Sequence, residues 1–294
     1  MTLYANNIDE VVTIMDDILH TSMADESRLG YFAALYRTVT IVVRDECNLG
    51  LFEDNERMRR LDTIFANRYF AAYDSYHKQI GMPSDAWNAS FEVCQDNKLL
   101  ILQHLLLGMH AHIALDLGIA TAEIADGDLS ESLQRDFYRL NHILTTLIDV
   151  VQKEIAEASP FIRYLDKWAW RADETFVSYS IDIARDDALN FAQQLIQLPR
   201  SQWEGAIRTR DNAVANISRQ IICYTGFPFN IAIWLINLRE NKNPRSVTEM
   251  MSNEKWQATV AQRVEHLVEE AVAQGLDLGK RDTQVMQIPQ EIRE

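Results

Sequence analysis

The chain has 294 residues, of which 43 are acidic and 28 are basic, so its formal net charge at pH 7 is −15. Nucleic acids and anionic membranes both bind clusters of Lys and Arg, so this acidic protein is not expected to have either as a partner. Hydrophobic residues make up 47% of the chain, which is typical of a globular protein with a large core.

Apolar residues recur at helical spacing along most of the chain, and no segment keeps the period of two that a strand requires. The predicted helices cover residues 8–20, 29–47, 55–80, 85–91, 97–124, 131–158, 164–197, 202–224, 231–239 and 247–274. We therefore predict an all-α fold, with about eight to ten helices in a single globular domain. Residues 1–240 would form the helical core domain, and residues 241–294 would add a C-terminal amphipathic helix and a polar tail.

The cysteines and the termini point to a cytoplasmic protein. Cys47, Cys94 and Cys223 are far apart and odd in number, so neither a disulfide framework nor a Cys-x-x-Cys metal site is expected. The N-terminal residues are acidic and lack the basic segment of a secretory signal. The longest apolar run, 99–125, is interrupted by histidines, a glutamine and an aspartate, which argues against a membrane span.

The segment 106–120 carries the most informative residues, because a helix this apolar should be buried and yet contains two histidines and a carboxylate. His112 and Asp116 are four residues apart and so project from the same helical face. Burying a polar group without a partner costs roughly 2–7 kcal/mol. We therefore expect a metal, an ion pair or a hydrogen-bond network around a substrate at this pair.

The local pattern Leu107-Gly108-x3-His112-x3-Asp116 resembles the Leu-Gly-x3-His-x3-Asp helix of the zinc-dependent phospholipase C and P1 nuclease group. Enzymes of that group are all-α and hydrolyse phosphoesters with a zinc cluster. The resemblance implies a metal held by His112 and Asp116. That group continues with a proline and a further histidine, which residues 117–124 do not supply, so a mononuclear or dinuclear site is the form it implies here.

A broader resemblance begins with the string Leu-Leu-Gly-Met-x-Ala-His-Ile-x-x-Asp-Leu-Gly-Ile-Ala, which is similar to the signature of a bacterial all-helical domain family of unknown function. Three further segments fit the same family: Leu61-Asp62-x-x-Phe65-Ala66-Asn67-Arg68-Tyr69-Phe70, Asp136-Phe137-x-x-x-Asn141 and Arg185-x-x-Ala188. The similarity spans residues 35–195, with His110 where the family is expected to have asparagine. It implies an all-α domain with a shared buried polar site and no particular activity.

The candidate site residues are His112, Asp116, His110, Asn141, Asp62 and Arg185. Each also has a structural interpretation, because a histidine on an apolar helix is more often a core residue than a ligand. Asp62 and Arg68 would both reach inward and pair with the central helix, and the structural interpretation is a buried ion pair that fixes helix register. Asn141 would hydrogen-bond to the central pair, and Arg185 would lie either in the site or on a solvated face.

Three functions remain open at this point, two of which are enzymes with a small-molecule substrate. If His112 and Asp116 hold zinc, iron or manganese, a bound water of lowered pKa would attack an ester or a phosphoester. Without a metal, His112 would be a general base oriented by Asp116, in an isomerase, cyclase or lyase acting on an apolar molecule. The third is a non-enzymatic helical ligand-binding or scaffold protein. The sequence leaves the oligomeric state open.

Overall fold

The computed structural model describes residues 2–125, 127–155, 158–159, 181–223, 234 and 236–273. Within these residues all regular secondary structure is helical, which confirms the predicted single all-α domain. The helices are α1 (Ile8–Ala24), α2 (Leu29–Asn48), α3 (Asn55–Lys78), α4 (Asp85–Phe91), α5 (Ile101–Ala111), a π-helical turn (His112–Leu117), α6 (Gly118–Ile124), α7 (Glu131–Ile155), α8 (Ile181–Gln197), α9 (Arg200–Ile222), α10 (Pro244–Ser252) and α11 (Glu254–Ala273).

Helix ends follow from local capping. Ser84 caps α4, since its hydroxyl accepts a hydrogen bond from the Trp87 amide at 3.3 Å. The single helix predicted over 247–274 is wrong, because α10 and α11 are separate. Asn253 lies between them in an extended conformation, and its side-chain oxygen accepts from the Trp256 amide at 2.8 Å. Of the predicted helix 164–197, residues 164–180 lie outside the described residues.

The C-terminal helices share the core of the domain. α10 packs on α1 and α2, and α11 packs on α7. Val247, Met251, Val260 and Val264 are fully buried in the same hydrophobic cluster as the residues of the central helix. The boundary at residue 240 stays a prediction.

Helix α5, the π-helical turn and α6 form one continuous helix, Ile101–Ile124, at the centre of the protein. By length and composition this helix could cross a membrane, but 94% of its most apolar window is buried inside the protein, as in the core of a globular fold. Helices α2, α4 and α9 pack on its first half, whereas α3 and α8 pack on its second half. Residues 103–122 of this helix are therefore all buried.

Two glycines near the π-helical turn allow close packing. A Cβ atom at Gly108 would lie 2.5 Å from Cγ of Phe32, and one at Gly118 would lie 2.7 Å from the Ala188 carbonyl oxygen. The turn itself is rare, and such turns are frequent at functional sites. Arg210 of α9 supports it from outside, since its Nε donates to the Ala114 carbonyl at 2.7 Å.

Candidate functional site

Asp116 is held by three donors from three elements. Nε of Arg68, on α3, donates to Oδ1 at 2.8 Å, and Nε1 of Trp87, on α4, donates to Oδ2 at 2.8 Å. Nδ1 of His112 lies 3.3 Å from the same Oδ2. Burial by itself would raise the pKa of Asp116, but Arg68, His112 and Trp87 together hold it below its usual value. The carboxylate is therefore charged and fully partnered.

His112 is enclosed by aromatic rings. The Phe65 ring stacks on the imidazole, with centroids 3.5 Å apart and planes 6° apart, and the Tyr36 ring meets it edge-on at 4.4 Å. Phe32, Tyr69 and Trp87 complete the enclosure, with centroids between 5.7 and 6.2 Å away. Burial lowers the pKa of His112, and the Asp116 carboxylate only partly opposes that shift. The ring is therefore neutral at pH 7.

The neutral ring carries one proton, which we assign to Nδ1 because that atom faces Asp116. The other nitrogen, Nε2, is then an acceptor. It is buried and has no hydrogen-bond partner among the described residues. An imidazole held at one nitrogen and unpaired at the other is the arrangement of a general base.

Asp62 Oδ2 is another buried atom without a hydrogen-bond partner in the described part of the chain. With His112 Nε2 it forms what we call the unpaired cluster. Tyr36 and Thr40 are one turn apart on α2 and share a side-chain hydrogen bond, and the charge of Asp62 reaches Tyr36. Buried polar atoms without partners are rare in folded proteins, and these two require an explanation such as water or a ligand.

Asp62 is the member of the cluster whose pKa is strongly raised. Burial raises the pKa of its carboxyl group to about 8. The group is therefore largely protonated at pH 7 and available as a proton donor. Burial also raises the pKa of Tyr36 well above its usual value, and the charges of Asp62 and Asp116 add to that rise. Tyr36 is thus a neutral hydroxyl between two carboxyl groups.

Two small cavities border this region. One, of about 20 Å³, lies between α2, α3 and α7 and is lined by Asp62 and Phe65 together with apolar side chains. We call it the α7 cavity. The other, of about 10 Å³, is lined by Arg28, Trp87 and other residues of α2 to α5, and we call it the Arg28 cavity. Each holds about one water molecule.

The structure brings some of the predicted residues together and separates others. Asp62 joins the unpaired cluster, and Arg68 reaches inward and pairs with Asp116 of the central helix, as expected. His110 lies on the side of the central helix that faces α9, where it bonds to the Val214 backbone and burial lowers its pKa to about 4. Residues two apart on a helix do not share a face, so His110 is not placed with His112.

Asn141 and Arg185 lie together, between α7 and α8. Nη1 of Arg185 donates to the Asn141 carbonyl at 2.7 Å. Arg185 is fully buried, so the solvated face that the sequence also allowed is wrong for this residue. The described contacts place neither residue against His112. Sequence reasoning missed Trp87, Tyr36, Phe65 and Thr40, which look like ordinary core residues in the sequence.

The donor set does not favour a metal ion between His112 and Asp116. Both oxygens of Asp116 already accept hydrogen bonds, and one of the donors is the cationic Arg68. Among the described residues there is no group of three or more His, Cys, Asp and Glu side chains arranged to hold a metal. Zinc, iron or manganese at this pair stays a prediction.

Fold and site together define an all-α protein with a histidine–aspartate pair buried in its central helix. The sequence model of a family of unknown function, DUF5995, matches residues 8–223. The chain belongs to this family, which confirms the broader resemblance seen in the sequence. No curated protein and no solved structure matches the chain. The findings give no support to the similarity with the phospholipase C and P1 nuclease group.

Proposed function

We propose that this protein is a small-molecule enzyme that uses metal-free acid–base chemistry, with His112 as the general base. The observation that carries the proposal is the state of the His112 ring. Asp116 holds Nδ1, while Nε2 is buried, neutral and without a partner. Asp116 would fix the orientation of the ring and stabilise the imidazolium once His112 has taken a proton.

Asp62 is the proposed proton donor. Its raised pKa, about 8, keeps a proton on the carboxyl group at pH 7, whereas the lowered pKa of His112 keeps that ring unprotonated. Two titratable groups whose environments shift their pKa values in opposite directions are typical of an acid–base pair. Such a pair fits an isomerase, a cyclase or a lyase, in which one group removes a proton and the other returns one.

The surroundings favour a small and largely apolar substrate. Five aromatic rings enclose His112, and the α7 cavity beside Asp62 is lined mainly by aliphatic side chains. That cavity holds about one water molecule, so substrate binding requires the side chains between α3 and α7 to move apart. Motions of this kind gate many enclosed active sites.

The tight enclosure also supports a second candidate function. A buried polar network in a non-enzymatic ligand-binding or scaffold protein would be closed, and both cavities near His112 are very small. In that case the aromatic shell and the Asp116 contacts would serve packing alone. The two candidates differ in what they require of Nε2 of His112, which an enzyme uses and a scaffold does not.

The test measures proton transfer without knowing the substrate. The full chain is incubated in D2O with a panel of small apolar ketones, aldehydes and unsaturated carboxylic acids, and mass spectrometry detects C–H to C–D exchange and new products. We expect exchange with the wild type and a loss of about 10²-fold or more in His112→Phe, the range typical of a general base. His20→Phe, on the exposed face of α1, is the matched control.

His112→Phe retains an aromatic ring against Phe65 and leaves Asp116 with its Arg68 and Trp87 contacts. If the wild type catalyses no exchange and His112→Phe lowers the free energy of unfolding by several kcal/mol, the scaffold function is correct. If exchange or hydrolysis stops on treatment with a chelator and returns with zinc, iron or manganese, the metal-dependent function replaces this proposal.

A further inference from the structure

Arg28, at the start of α2, is a buried cation without an ion-pair partner among the described residues. Its side chain lines the Arg28 cavity, and the residue is only 9% exposed. No carboxylate of the described residues lies within 4.0 Å of its guanidinium, which donates a long hydrogen bond, 3.4 Å, to the Cys94 carbonyl and another to the Tyr31 side chain. Buried charges are normally paired, because an unpaired one is costly to desolvate.

The groups nearest to Arg28 do not neutralise it. Burial raises the pKa of Tyr31 to about 12 and lowers that of His104 to about 4, so both are neutral at pH 7. The charge of Glu240 reaches Tyr31, but its Oε2 is occupied by the Ile101 amide at 3.1 Å and by Lys242 Nζ at 3.6 Å. The cavity therefore presents a positive charge that no carboxylate of the described residues pairs with directly.

The walls of the Arg28 cavity connect it to the candidate site. Phe32, Tyr69 and Trp87 line the cavity, and the same three rings contact His112. Trp87 also donates to Asp116. A molecule held at Arg28 would lie against the same aromatic wall that encloses the imidazole.

We propose that Arg28 binds the carboxylate of a small organic acid and thereby anchors the substrate of the His112 site. The second half of this statement rests on the proposed function. A planar guanidinium matches a carboxylate through two parallel hydrogen bonds. The cavity holds about one water molecule, so its walls must move apart to admit an acid. The flat head of a short acid needs less room than a tetrahedral phosphate, and its apolar remainder would pack on the aromatic wall.

The binding test uses the full chain labelled with ¹⁵N and follows the indole N–H signal of Trp87, which Trp87→Phe identifies among the six tryptophans. The probes are formate, acetate and benzoate, with chloride and phosphate at the same ionic strength for comparison. We expect saturable shifts with the carboxylates that chloride does not produce. Arg28→Met should weaken binding by about tenfold or more, because it removes a charge-assisted, two-bond contact.

Three variants separate the possible outcomes. Arg208→Met removes an exposed arginine on α9 and should leave carboxylate binding unchanged. Arg28→Lys keeps the charge without the planar pair of donors, so it should bind more weakly than wild type even if Arg28→Met fails to fold. His112→Phe should keep carboxylate binding, because the anchor is Arg28.

The carboxylate site would be overturned if the shifts of the Trp87 signal do not saturate, if chloride reproduces them, or if they are the same in Arg28→Lys as in the wild type. This holds whatever the D2O experiment shows. Preferential saturation by phosphate would overturn the choice of a carboxylate. If the wild type binds carboxylates but catalyses no exchange, Arg28 is supported as the binding group. Its role as a substrate anchor is then rejected. The failure of the site and the failure of the proposed function are thus distinguishable.

Discussion

Two buried aspartates near His112 differ in a way that explains the site. Asp116 is 2% exposed and accepts hydrogen bonds from Arg68, Trp87 and His112, whereas Asp62 is 6% exposed and its Oδ2 has no partner among the described residues. The pKa of Asp116 is lowered and that of Asp62 is raised to about 8. Burial is nearly the same in both, so the partners decide which carboxyl group is charged.

The largest expected effect tests Asp116, the aspartate that has hydrogen-bond partners. In Arg68→Met, Asp116 keeps the Trp87 and His112 contacts but loses its only neighbouring cation in the described structure. Removing one member of a buried ion pair leaves an uncompensated charge, so we expect the free energy of unfolding at pH 7 to fall by about 3–5 kcal/mol. Urea denaturation followed by circular dichroism measures this change.

The control for Arg68→Met is Arg208→Met, which removes an arginine from an exposed pair with Glu204. Exposed pairs contribute little, so its stability should stay within about 0.5 kcal/mol of wild type. Equal losses in the two variants would mean that the Arg68–Asp116 pair behaves as a surface contact. Asp116 would then not hold His112 through a buried charge.

The next effect tests Asp62, whose Oδ2 has no partner among the described residues. The unfolded chain ionises Asp62 near the ordinary value of 3.8, whereas the folded chain does so near pH 8. The stability associated with Asp62 is therefore present below pH 3.8 and is lost as the pH rises toward 8, by up to ~1.4 kcal/mol per pH unit. Asp62→Asn removes this loss, so at pH 7 we expect it to be more stable than wild type by about 1–3 kcal/mol.

The matched control is Asp136→Asn. Asp136 is as buried as Asp116, and it accepts hydrogen bonds from the amides of Glu53 and Asp54 and from Arg57 Nη2 at 2.7, 3.1 and 2.6 Å. Neutralising this partnered carboxylate should lower stability at pH 7, the opposite sign to Asp62→Asn. Unfolding curves from pH 4 to 9 compare the two. If the free energy of unfolding depends on pH in the same way in the wild type and in Asp62→Asn, the raised pKa of Asp62 is contradicted.

Much of this arrangement could be predicted from the sequence. Hydrophobic periodicity predicts the all-α fold and the burial of the central helix, and the spacing of His112 and Asp116 predicts that they share a face. The inward position of Arg68 and its pairing with the central helix could also be predicted. Asp62 was expected to pair there too, but Asp62 and Arg68 are six residues apart on α3 and so do not share a face, and of the two it is Arg68 that reaches Asp116.

The aromatic enclosure and the unpaired cluster could not be predicted, because both depend on contacts between helices distant in sequence. Tyr36 and Phe65 occupy ordinary core positions of α2 and α3, and no local pattern indicates that they meet at His112. The π-helical turn has no sequence signal either. Its supporting bond comes from Arg210, almost one hundred residues later in the chain. A glycine at position 108 lets another group come close to the helix, but nothing in the sequence indicates that Phe32 fills the space.

The smallest expected effect tests how tightly the Phe32 ring encloses His112. In Gly108→Ala the new Cβ would lie 2.5 Å from Cγ of Phe32, whose ring contacts His112. Phe32 must move, and overpacking of this kind lowers the free energy of unfolding by about 1–3 kcal/mol. The helix itself gains ~0.5–1 kcal/mol from replacing glycine with alanine, so the net loss should be about 1–2 kcal/mol in urea denaturation.

Gly205→Ala isolates the helical contribution, because Gly205 lies in α9 and a Cβ there would meet no atom within 4 Å. It should raise stability by ~0.5–1 kcal/mol, the gain expected of alanine over glycine in a helix. If Gly108→Ala raised stability by the same amount, Phe32 would have room to move away from His112. The aromatic shell would then be loose enough to admit a substrate past Phe32, and access to His112 would not require the opening at Asp62 that the proposed function assumes.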